Sequence, residues 1–417
     1  MNKVYRKMLL LIGVVSGLAG CGEQPDKKTV FDPAHWKTNV EQHWATDTEQ
    51  QRLTLAYEKM QGIADRWHED VQAFERKWLV LKSFKEAEKL ISQVSNDLWL
   101  HAKASMEAKK DFDDRPLYWA RLGYIWVIKN AQPQFELTEK EIYQLEEIFE
   151  SASRGRADLE YTSDAPLKIL ITGFDPFLLD RNILQGNPSG IAALALDGKV
   201  IEFNGQKAEI NAVTFPVRYE DFDLGEVESL LGPYYENDSV DMVVTISQGR
   251  TDFDLERFPG RRRSATAPDN LNIYAAASSK NPIPGLLGGK EIAGPEFVEF
   301  SLPVELMQQA TGSYAINDNR KVTYLEQGSS EDGAKEPVTT EAGHLTELAD
   351  KIAVSGSGGG YLSNEISYRS IRLRNELDSS IPTGHIHTPK PEAFTPEIIE
   401  PMVEQIEAML KNALPAL

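Results

Sequence analysis

The spacing of hydrophobic positions changes once along the chain, near residue 160. Before that point apolar residues recur every three or four positions, which is the period of one helix face. One such series is Ile63, Trp67, Val71, Phe74, Trp78 and Leu81. Thr138 followed by Glu141 forms a capping box, which predicts the start of a further helix. The pattern predicts an all-α helical domain over residues 31–160, with the tryptophans in its core.

Beyond residue 166 short, continuous apolar runs alternate with amphipathic helical stretches. The runs are residues 168–172, 240–246 and 351–354, and the helical stretches include 189–196 and 396–411. Buried strands that alternate with helices indicate a parallel sheet covered on both faces. We therefore predict a three-layer α/β domain over residues 167–417, joined to the helical domain by a linker at 151–166. Thr172, Gln248 and Ser355 are expected at strand ends, where sites in such sheets gather.

The first thirty residues have the pattern of a targeting segment. Lys3, Arg6 and Lys7 precede a short apolar run that ends at Leu18-Ala19-Gly20-Cys21. This ending resembles the lipobox of bacterial lipoproteins, which implies a signal peptide over 1–20 and an acylated Cys21 that binds the lipid bilayer. We expect a polar tether over 21–30 and an extracytoplasmic location, at the outer membrane in a Gram-negative cell. The alternative is an ordinary signal with a chance cysteine.

Charge and cysteine content exclude several classes of function. The 417 residues carry a formal net charge of -20, which argues against nucleic-acid binding because phosphate contacts need basic surfaces. The one basic run, residues 261–263, is expected to be a solvated loop. Because Cys21 is the only cysteine, the body of the protein has no thiol nucleophile and no cysteine zinc site.

A glycine-rich stretch at residues 355–364 carries the candidate chemistry. It follows an apolar run, ends at Ser363-Asn364 and predicts a turn into a helix, whose N-terminal N–H groups favour negative charge. About twenty residues later a strand-like segment carries His385 and His387. The alternative is a helix N-cap serine and two solvent-facing histidines. Because His385 and His387 lack a third ligand, we predict no metal and no cofactor.

Six segments in this half of the chain, taken in order, resemble pyroglutamyl peptidase type I. They are Thr172-Gly173-Phe174-Asp175-Pro176-Phe177 with Asn187-Pro188-Ser189, Gln248-Gly249-Arg250 with Leu255-Glu256-Arg257, Ala267-Pro268-Asp269-Asn270, Phe300-Ser301-Leu302-Pro303, Gly358-Gly359-Gly360-Tyr361-Leu362-Ser363-Asn364, and Ile386-His387-Thr388-Pro389. These cysteine enzymes remove N-terminal pyroglutamate from peptides. The resemblance implies their peptidase-like fold and, as partner, a peptide with an N-terminal pyroglutamate or a similar end.

Position by position, the resemblance also implies roles for individual residues. His387 and Glu256 take the places of the family's histidine and glutamate, and Ser363 takes the place of its cysteine. The remaining implied residues are Phe174 and Phe177 in the substrate pocket, Gln248 where the family has glycine, and Arg250 near the reaction centre. As alternatives, Phe174 and Phe177 are simply core, and Glu256 pairs with Arg257 at the surface.

Two departures from the family leave three functions open. A serine does not ionise as a thiol does, so it needs close geometry with its base. A polar, net acidic insertion at residues 311–347 is expected to cover or block the pocket. The chain is thus a hydrolase with Ser363 as nucleophile, a silent binding module, or a structural envelope lipoprotein. The sequence does not indicate an oligomeric state.

Overall fold

The computed structural model describes residues 48–109, 111–327 and 336–417. The expected signal peptide, Cys21, the tether and the start of the helical domain lie outside the described residues. Within those residues, each helix is too short or too polar to cross a bilayer.

Residues 48–158, apart from Lys110, form a helical region of five α-helices with short 3-10 turns at each end. The helices are α1 (Leu53–Lys59), α2 (His68–Trp78), α3 (Phe84–Lys109), α4 (Arg115–Asn130) and α5 (Glu139–Ala152). The 3-10 turns are Gln50–Arg52 and Arg156–Asp158. The predicted capping box is present at the start of α5, where Thr138 and Glu141 bond each other's backbone N–H groups.

Four tryptophans form the centre of this region, as the helical period predicts. Trp78, Trp99, Trp119 and Trp126 are almost fully buried. The indole of Trp78 donates to the carbonyl of Ala131 over 2.7 Å, so its polar atom is satisfied inside the core. The period from residue 63 to 81 predicts one long helix, but α2 begins only at His68 because a turn occupies residues 61–67.

A seven-stranded sheet organises residues 167–417. Its strands are β1 (Leu167–Phe174), β2 (Val200–Phe203), β3 (Gln206–Phe215), β4 (Met242–Gln248), β5 (Phe253–Glu256), β10 (Ile316–Asn319) and β14 (Thr383–Thr388), in the order β10-β5-β14-β4-β1-β3-β2. The four strands β14, β4, β1 and β3 are parallel, and β2 runs antiparallel to β3. Strands β5 and β10 are parallel to each other, and β5 runs antiparallel to β14. The predicted α/β class is confirmed, with a mostly parallel, mixed sheet.

Helices cover both faces of the sheet and complete three layers. They are α6 (Pro188–Leu196), α7 (Tyr219–Asp223), α8 (Glu226–Asn237), α9 (Val304–Met307), α10 (Leu362–Glu376) and α11 (Pro396–Ala413). One face, with Leu170 and Val243, packs against α8 and α10. The other, with Ile171 and Val244, packs against α6 and α11 in a core shared with the helical region.

The apolar run before the glycine-rich stretch is not part of the main sheet. It forms β13 (Lys351–Ser355), which pairs antiparallel with β11 (Lys321–Glu326) in a small sheet completed by β12 (Val338–Glu341). The expectation that Ser355 ends a strand of the parallel sheet is therefore wrong. A short apolar run predicts a buried strand but does not predict which strand it pairs with. Here the partner is β11, which belongs to the inserted segment.

Two-stranded ribbons lie in the long connection between β5 and β10. They are β6 (Arg262–Arg263) with β7 (Ile283–Pro284), and β8 (Leu286–Leu287) with β9 (Lys290–Glu291). The prediction of a solvated basic loop here is wrong. The Arg263 guanidinium is buried against Glu365, 2.6 Å from its Oε2, and also binds Asp223. Carboxylates distant in the sequence neutralise these arginines, which local charge counting cannot show.

A buried ion cluster joins the helical region to the sheet. Asp175, which follows β1 directly, accepts from Arg121 of α4 at 3.0 Å and from Arg154 at 2.6 Å. Arg154 belongs to the predicted linker, yet it is buried and also binds Glu150. Burial lowers the pKa of Arg121, and the charge of Arg154 lowers it further. The Asp175 carboxylate is therefore what allows two arginines to share this interior.

Replacing Asp175→Asn should destabilise the protein by about 3–5 kcal/mol, because two buried guanidinium groups would lose their shared counter-charge. Urea unfolding of the full chain measures the change in free energy. Glu202→Gln is the matched control, since its ion pair with Lys207 is more than half exposed on both sides (57% and 52%). Its cost should stay within about 0.5 kcal/mol. Equal costs for the two substitutions would contradict the structural role given to Asp175.

Candidate active site

A histidine–carboxylate pair lies at the centre of the site. His387 of β14 and Glu256 of β5 come from antiparallel neighbours in the sheet, and His387 Nδ1 lies 2.5 Å from Glu256 Oε1. Because an ionised carboxylate can only accept, Nδ1 carries the proton and Nε2 is left as an acceptor. Glu256 is fully buried, and Arg257 instead binds Asp318. The alternative of a surface Glu256–Arg257 pair is therefore wrong.

The acidic insertion supports this carboxylate. Asn319 ends β10 within the insertion and donates to Glu256 Oε2 over 2.9 Å and to the Ser357 carbonyl over 3.0 Å. The described residues of the insertion, 311–327 and 336–347, do not line the cavity beside Ser363. The expectation that these parts cover or block the pocket is therefore wrong. They form β10 at the edge of the main sheet and β11 and β12 of the small sheet instead.

Ser363 lies in the first turn of α10. Tyr361 is the N-cap of this helix, so the N-cap alternative for Ser363 is wrong. Its hydroxyl donates to the carbonyl of Gly358 over 3.2 Å. A methyl group on Gly358 would lie 3.5 Å from His387 Cε1, so this glycine leaves room for the imidazole while its carbonyl binds the serine. The first N–H groups of a helix lack acceptors within it, which leaves donors beside Ser363.

Hydrogen bonds to the backbone of a neighbouring segment hold the glycine-rich turn in place. The Asn364 side chain bonds both backbone groups of Gly260, accepting at 2.9 Å and donating at 2.7 Å. Ser357 also bonds both backbone groups of Phe258, since its hydroxyl oxygen accepts from the Phe258 N–H and its own backbone N–H donates to the Phe258 carbonyl. The segment after β5, which carries Glu256, thus fixes the turn that carries Ser363. Two parts of the chain about a hundred residues apart are aligned through main-chain contacts.

A small cavity of about 40 Å³ opens beside Ser363. Its lining residues are Phe174, Phe177, Asn187, Val217, Ser247, Gln248, Tyr361, Leu362 and Ser363. Four residues predicted from the sequence, Ser363, Phe174, Phe177 and Gln248, therefore meet at one cavity. Phe174 also stacks near Phe222 in the core beneath the sheet, with ring centroids 6.2 Å apart. Phe174 therefore belongs to the core and also lines the cavity.

The helical region holds one wall of this cavity. Asn187 donates from its side chain to the Asp175 carbonyl over 2.9 Å and caps α6 by accepting from the Ser189 N–H. The backbone N–H of Asn187 donates to the side-chain carboxyl of Asp114, the N-cap residue of α4. Burial, followed by the nearby charge of Asp113, raises the pKa of Asp114 well above its usual range.

A larger groove of about 810 Å³ adjoins the cavity and shares Phe177 and Gln248 with it. The residues after Phe177 form one side, where Gln185 donates to Gln248 Oε1 over 3.0 Å. Arg181 and Lys390 bring positive charge to its lining and Glu392 is the acidic residue, while the charge of Arg115 is balanced by Asp113. Arg250, expected near the reaction centre, is instead exposed and lines neither space.

Two polar residues at the site were missed by the sequence reasoning. Thr245 and Ser247 alternate along β4 and both bond the ring of His385, each over 2.7 Å. His385 is fully buried and meets the ring of His387 edge-on at 4.9 Å. The signal was available, because polar residues at every second position of an apolar strand mark one sheet face. Over the three described ranges, no three His, Cys, Asp or Glu side chains are grouped as a metal site.

Comparisons with known proteins place the chain in a family. A relative from Pseudomonas aeruginosa, described as "Uncharacterized protein PA0049", is 28% identical over 391 residues, covering 74% of this chain and 70% of the relative. Among solved structures, a mutant pyrrolidone carboxyl peptidase from Pyrococcus furiosus is 20% identical, with a TM-score of 0.39. It covers 60% of this chain and 99% of its own, as does a structure of that peptidase with its cysteine-free mutant.

Family models match both halves of the chain. The model described as "PA0049 N-terminal domain" matches residues 32–150. The model described as "PA0049, C-terminal domain" matches residues 168–302 and 309–392, which together make up more than half of the 417 residues. The chain therefore belongs to the PA0049 family.

Proposed function

We propose that this protein is a pyroglutamyl peptidase-like hydrolase that uses Ser363 where the peptidases use cysteine. The observation that carries the proposal is the buried hydrogen bond between His387 and Glu256, together with Gly358, which lies beside the His387 ring and accepts from the Ser363 hydroxyl. A buried carboxylate that orients an imidazole and can offset its positive charge is the arrangement of a nucleophile-activating base. The ordered motifs supply the substrate class, a peptide with an N-terminal pyroglutamate or a similar end.

The reaction follows from these positions. Ser363 Oγ attacks the pyroglutamyl carbonyl carbon while its proton passes to His387 Nε2, and Glu256 stabilises the imidazolium. The N–H groups at the start of α10 stabilise the oxyanion. The C–N bond breaks as His387 returns the proton to the leaving amine. Water then gives a proton to His387 as its oxygen bonds the acyl carbon. The bond between that carbon and Ser363 Oγ breaks, and His387 returns the proton to Oγ.

The two spaces suit the two parts of such a substrate. Phe174, Phe177, Val217 and Leu362 provide apolar walls for a compact ring in the small cavity. The adjoining groove has room for residues that follow the ring, and it meets the cavity at Phe177 and Gln248. A peptide whose first residue enters the cavity would continue into a groove that carries positive charge, on a protein that is acidic overall.

A silent binding protein is the second candidate, and one observation favours it. The Ser363 hydroxyl donates to the Gly358 carbonyl, so its proton must turn toward His387 before attack. A serine left in that hydrogen bond would be inert, while the cavity would still accept a pyroglutamyl end. Thiolate chemistry avoids this problem because the proton is already lost before the thiolate attacks.

Full-length protein in detergent should release the reporter from a pyroglutamyl chromogenic amide. Ser363→Ala and His387→Ala should each reduce turnover by about 100-fold or more, because they remove the nucleophile and the base. Ser370→Ala, on a buried residue of the same helix, should leave turnover unchanged. Turnover that survives Ser363→Ala contradicts the assignment. No turnover in the wild type but turnover in Ser363→Cys would establish the silent binding protein.

Glu256→Gln should lower kcat by about 10²–10⁴-fold with little change in KM, because the amide cannot offset the imidazolium charge. Asn319→Ala should lower kcat less, because Glu256 would keep its contact with His387. Steady-state kinetics on the chromogenic amide measure both parameters. A rise in KM alone would mean that Glu256 shapes the cavity without taking part in proton transfer.

We further propose that Cys21 carries acyl chains that anchor the protein to the extracytoplasmic side of the cell envelope. The lipobox-like sequence supports this, and each buried CH₂ contributes about 0.8 kcal/mol to membrane binding. In detergent phase partition, wild-type protein expressed in a bacterium should enter the detergent phase, whereas Cys21→Ser should stay in the aqueous phase. Mass spectrometry of the N-terminal peptide identifies the modification. Wild-type protein found in the aqueous phase would refute the anchor.

A further inference from the structure

One serine of the cavity wall, Ser247, is hydrogen-bonded to a histidine that the proposed reaction does not use. Ser247 Oγ lies 2.7 Å from His385 Nε2, and Thr245 Oγ1 lies 2.7 Å from His385 Nδ1. Ser247 lines the cavity, while Thr245 and His385 are fully buried behind it. The question is which of these groups holds each proton, because that decides what Ser247 presents to a ligand.

The direction of each hydrogen bond depends on which group receives the hydroxyl proton of Thr245. Thr245 has one hydroxyl proton, and it also lies 3.2 Å from the carbonyl of Gly384, which can only accept. If that proton goes to Gly384, Thr245 must accept from His385, so Nδ1 is the protonated nitrogen. The neutral imidazole then accepts at Nε2, and the donor is Ser247. In that arrangement the hydroxyl proton of Ser247 is donated to His385.

The surroundings keep His385 neutral and unsuited to act as a base. Burial lowers the pKa of His385 well below its usual range, and the neighbouring His387 lowers it further. Its two ring nitrogens meet hydroxyl groups, in contrast to the carboxylate that His387 meets. Taking a proton from Ser247 would create a buried cation without a counter-charge, which is costly. Ser247 therefore does not act as a nucleophile activated by His385.

We propose that Ser247 is a fixed hydrogen-bond acceptor in the cavity, and that it selects a ligand ring that carries an N–H donor. With its proton held by His385, the oxygen of Ser247 has lone pairs free for a ligand. A lactam ring, which is apolar except for its N–H and C=O groups, matches an apolar cavity with one fixed acceptor. The ring's identity rests on the proposed function, but the state of Ser247 does not. Thr245 and His385 are positioning residues that act through Ser247.

Specificity would follow from the cost of an unmet hydrogen bond. A lactone of the same shape places a ring oxygen where the lactam has its N–H, so two acceptors would face each other. Such a site should bind the lactam at least about tenfold more tightly than the lactone, because the lactone leaves the buried Ser247 oxygen without a donor. Turning the Ser247 proton toward the lactone would break the bond to His385, so the penalty is not easily avoided.

The protonation pattern can be tested without any ligand. Long-range proton–nitrogen NMR correlation of the full-length protein in detergent reports the tautomer of each histidine. His385 should be neutral with the proton on Nδ1, and Ser247→Ala should shift the resonance of Nε2. A proton on Nε2, or an imidazolium, would overturn the proposal, because Ser247 would then be free to donate into the cavity. This measurement uses the wild type, so it stands even if a variant fails to fold.

Ligand selection is tested with two probes that lack a scissile carbonyl outside the ring. They are pyroglutaminol and the lactone in which oxygen replaces its ring N–H, with calorimetry to measure each Kd. Wild type should prefer the lactam by at least about tenfold. Ser247→Ala should lose that preference, and so should Thr245→Val, which removes the acceptor for Nδ1 without touching the cavity. Ser370→Ala should keep it.

The outcomes separate this inference from the proposed function. If the protein prefers the lactam but shows no turnover, the acceptor role of Ser247 stands and only the hydrolase function is refuted. Turnover without lactam preference, or preference that survives Ser247→Ala, overturns the acceptor role and leaves the hydrolase standing. Failure of both probes to bind the wild type overturns the assignment of a lactam ligand.

Discussion

The shared burial of Asp175, Arg121 and Arg154 is the interaction on which the architecture depends. Ions are tolerated in a low-dielectric interior only when they are paired, so this cluster fixes how the helical region sits against the end of β1. Asp175 directly follows Phe174, and its carbonyl holds Asn187, so the same residue sets two walls of the cavity. The helical region is therefore part of the site's support, because moving it would expose charges and displace the pocket.

How much the sequence could predict depended on whether the signal was local. Helix periods and the capping box at Thr138 are local, and they predicted α5 and the tryptophan core correctly. The partner of β13 and the burial of Arg263 depend on residues far along the chain, so no local pattern contains them. Glu256 and His387 were found through ordered motifs. Arg250 was carried over by the same motifs, yet its side chain is exposed, because motif position fixes the backbone and not where a long side chain extends.

The inserted segment shows how an addition can become structural. A polar, acidic stretch suggests a loose cover, yet its described parts extend the main sheet as β10 and build a small sheet with β13. Asn319 takes up the second oxygen of Glu256, which holds the carboxylate in one orientation toward His387. For a serine, which keeps its proton until attack, such orientation of the base matters more than it would for a thiolate.

The rings of His385 and His387 meet edge-on at 4.9 Å, so both cannot be charged without strong repulsion. The groups around each ring differ in whether they can balance a positive charge. His387 meets a carboxylate, which can balance a positive charge during proton transfer. His385 meets two hydroxyls, which form hydrogen bonds with the ring but carry no charge that could balance an imidazolium. In the proposed tautomer the neutral ring of His385 fixes the direction of the Ser247 hydroxyl. The proposed reaction and the proposed ligand recognition therefore use the same sheet face, with proton transfer at its β5–β14 side and the ligand contact at β4.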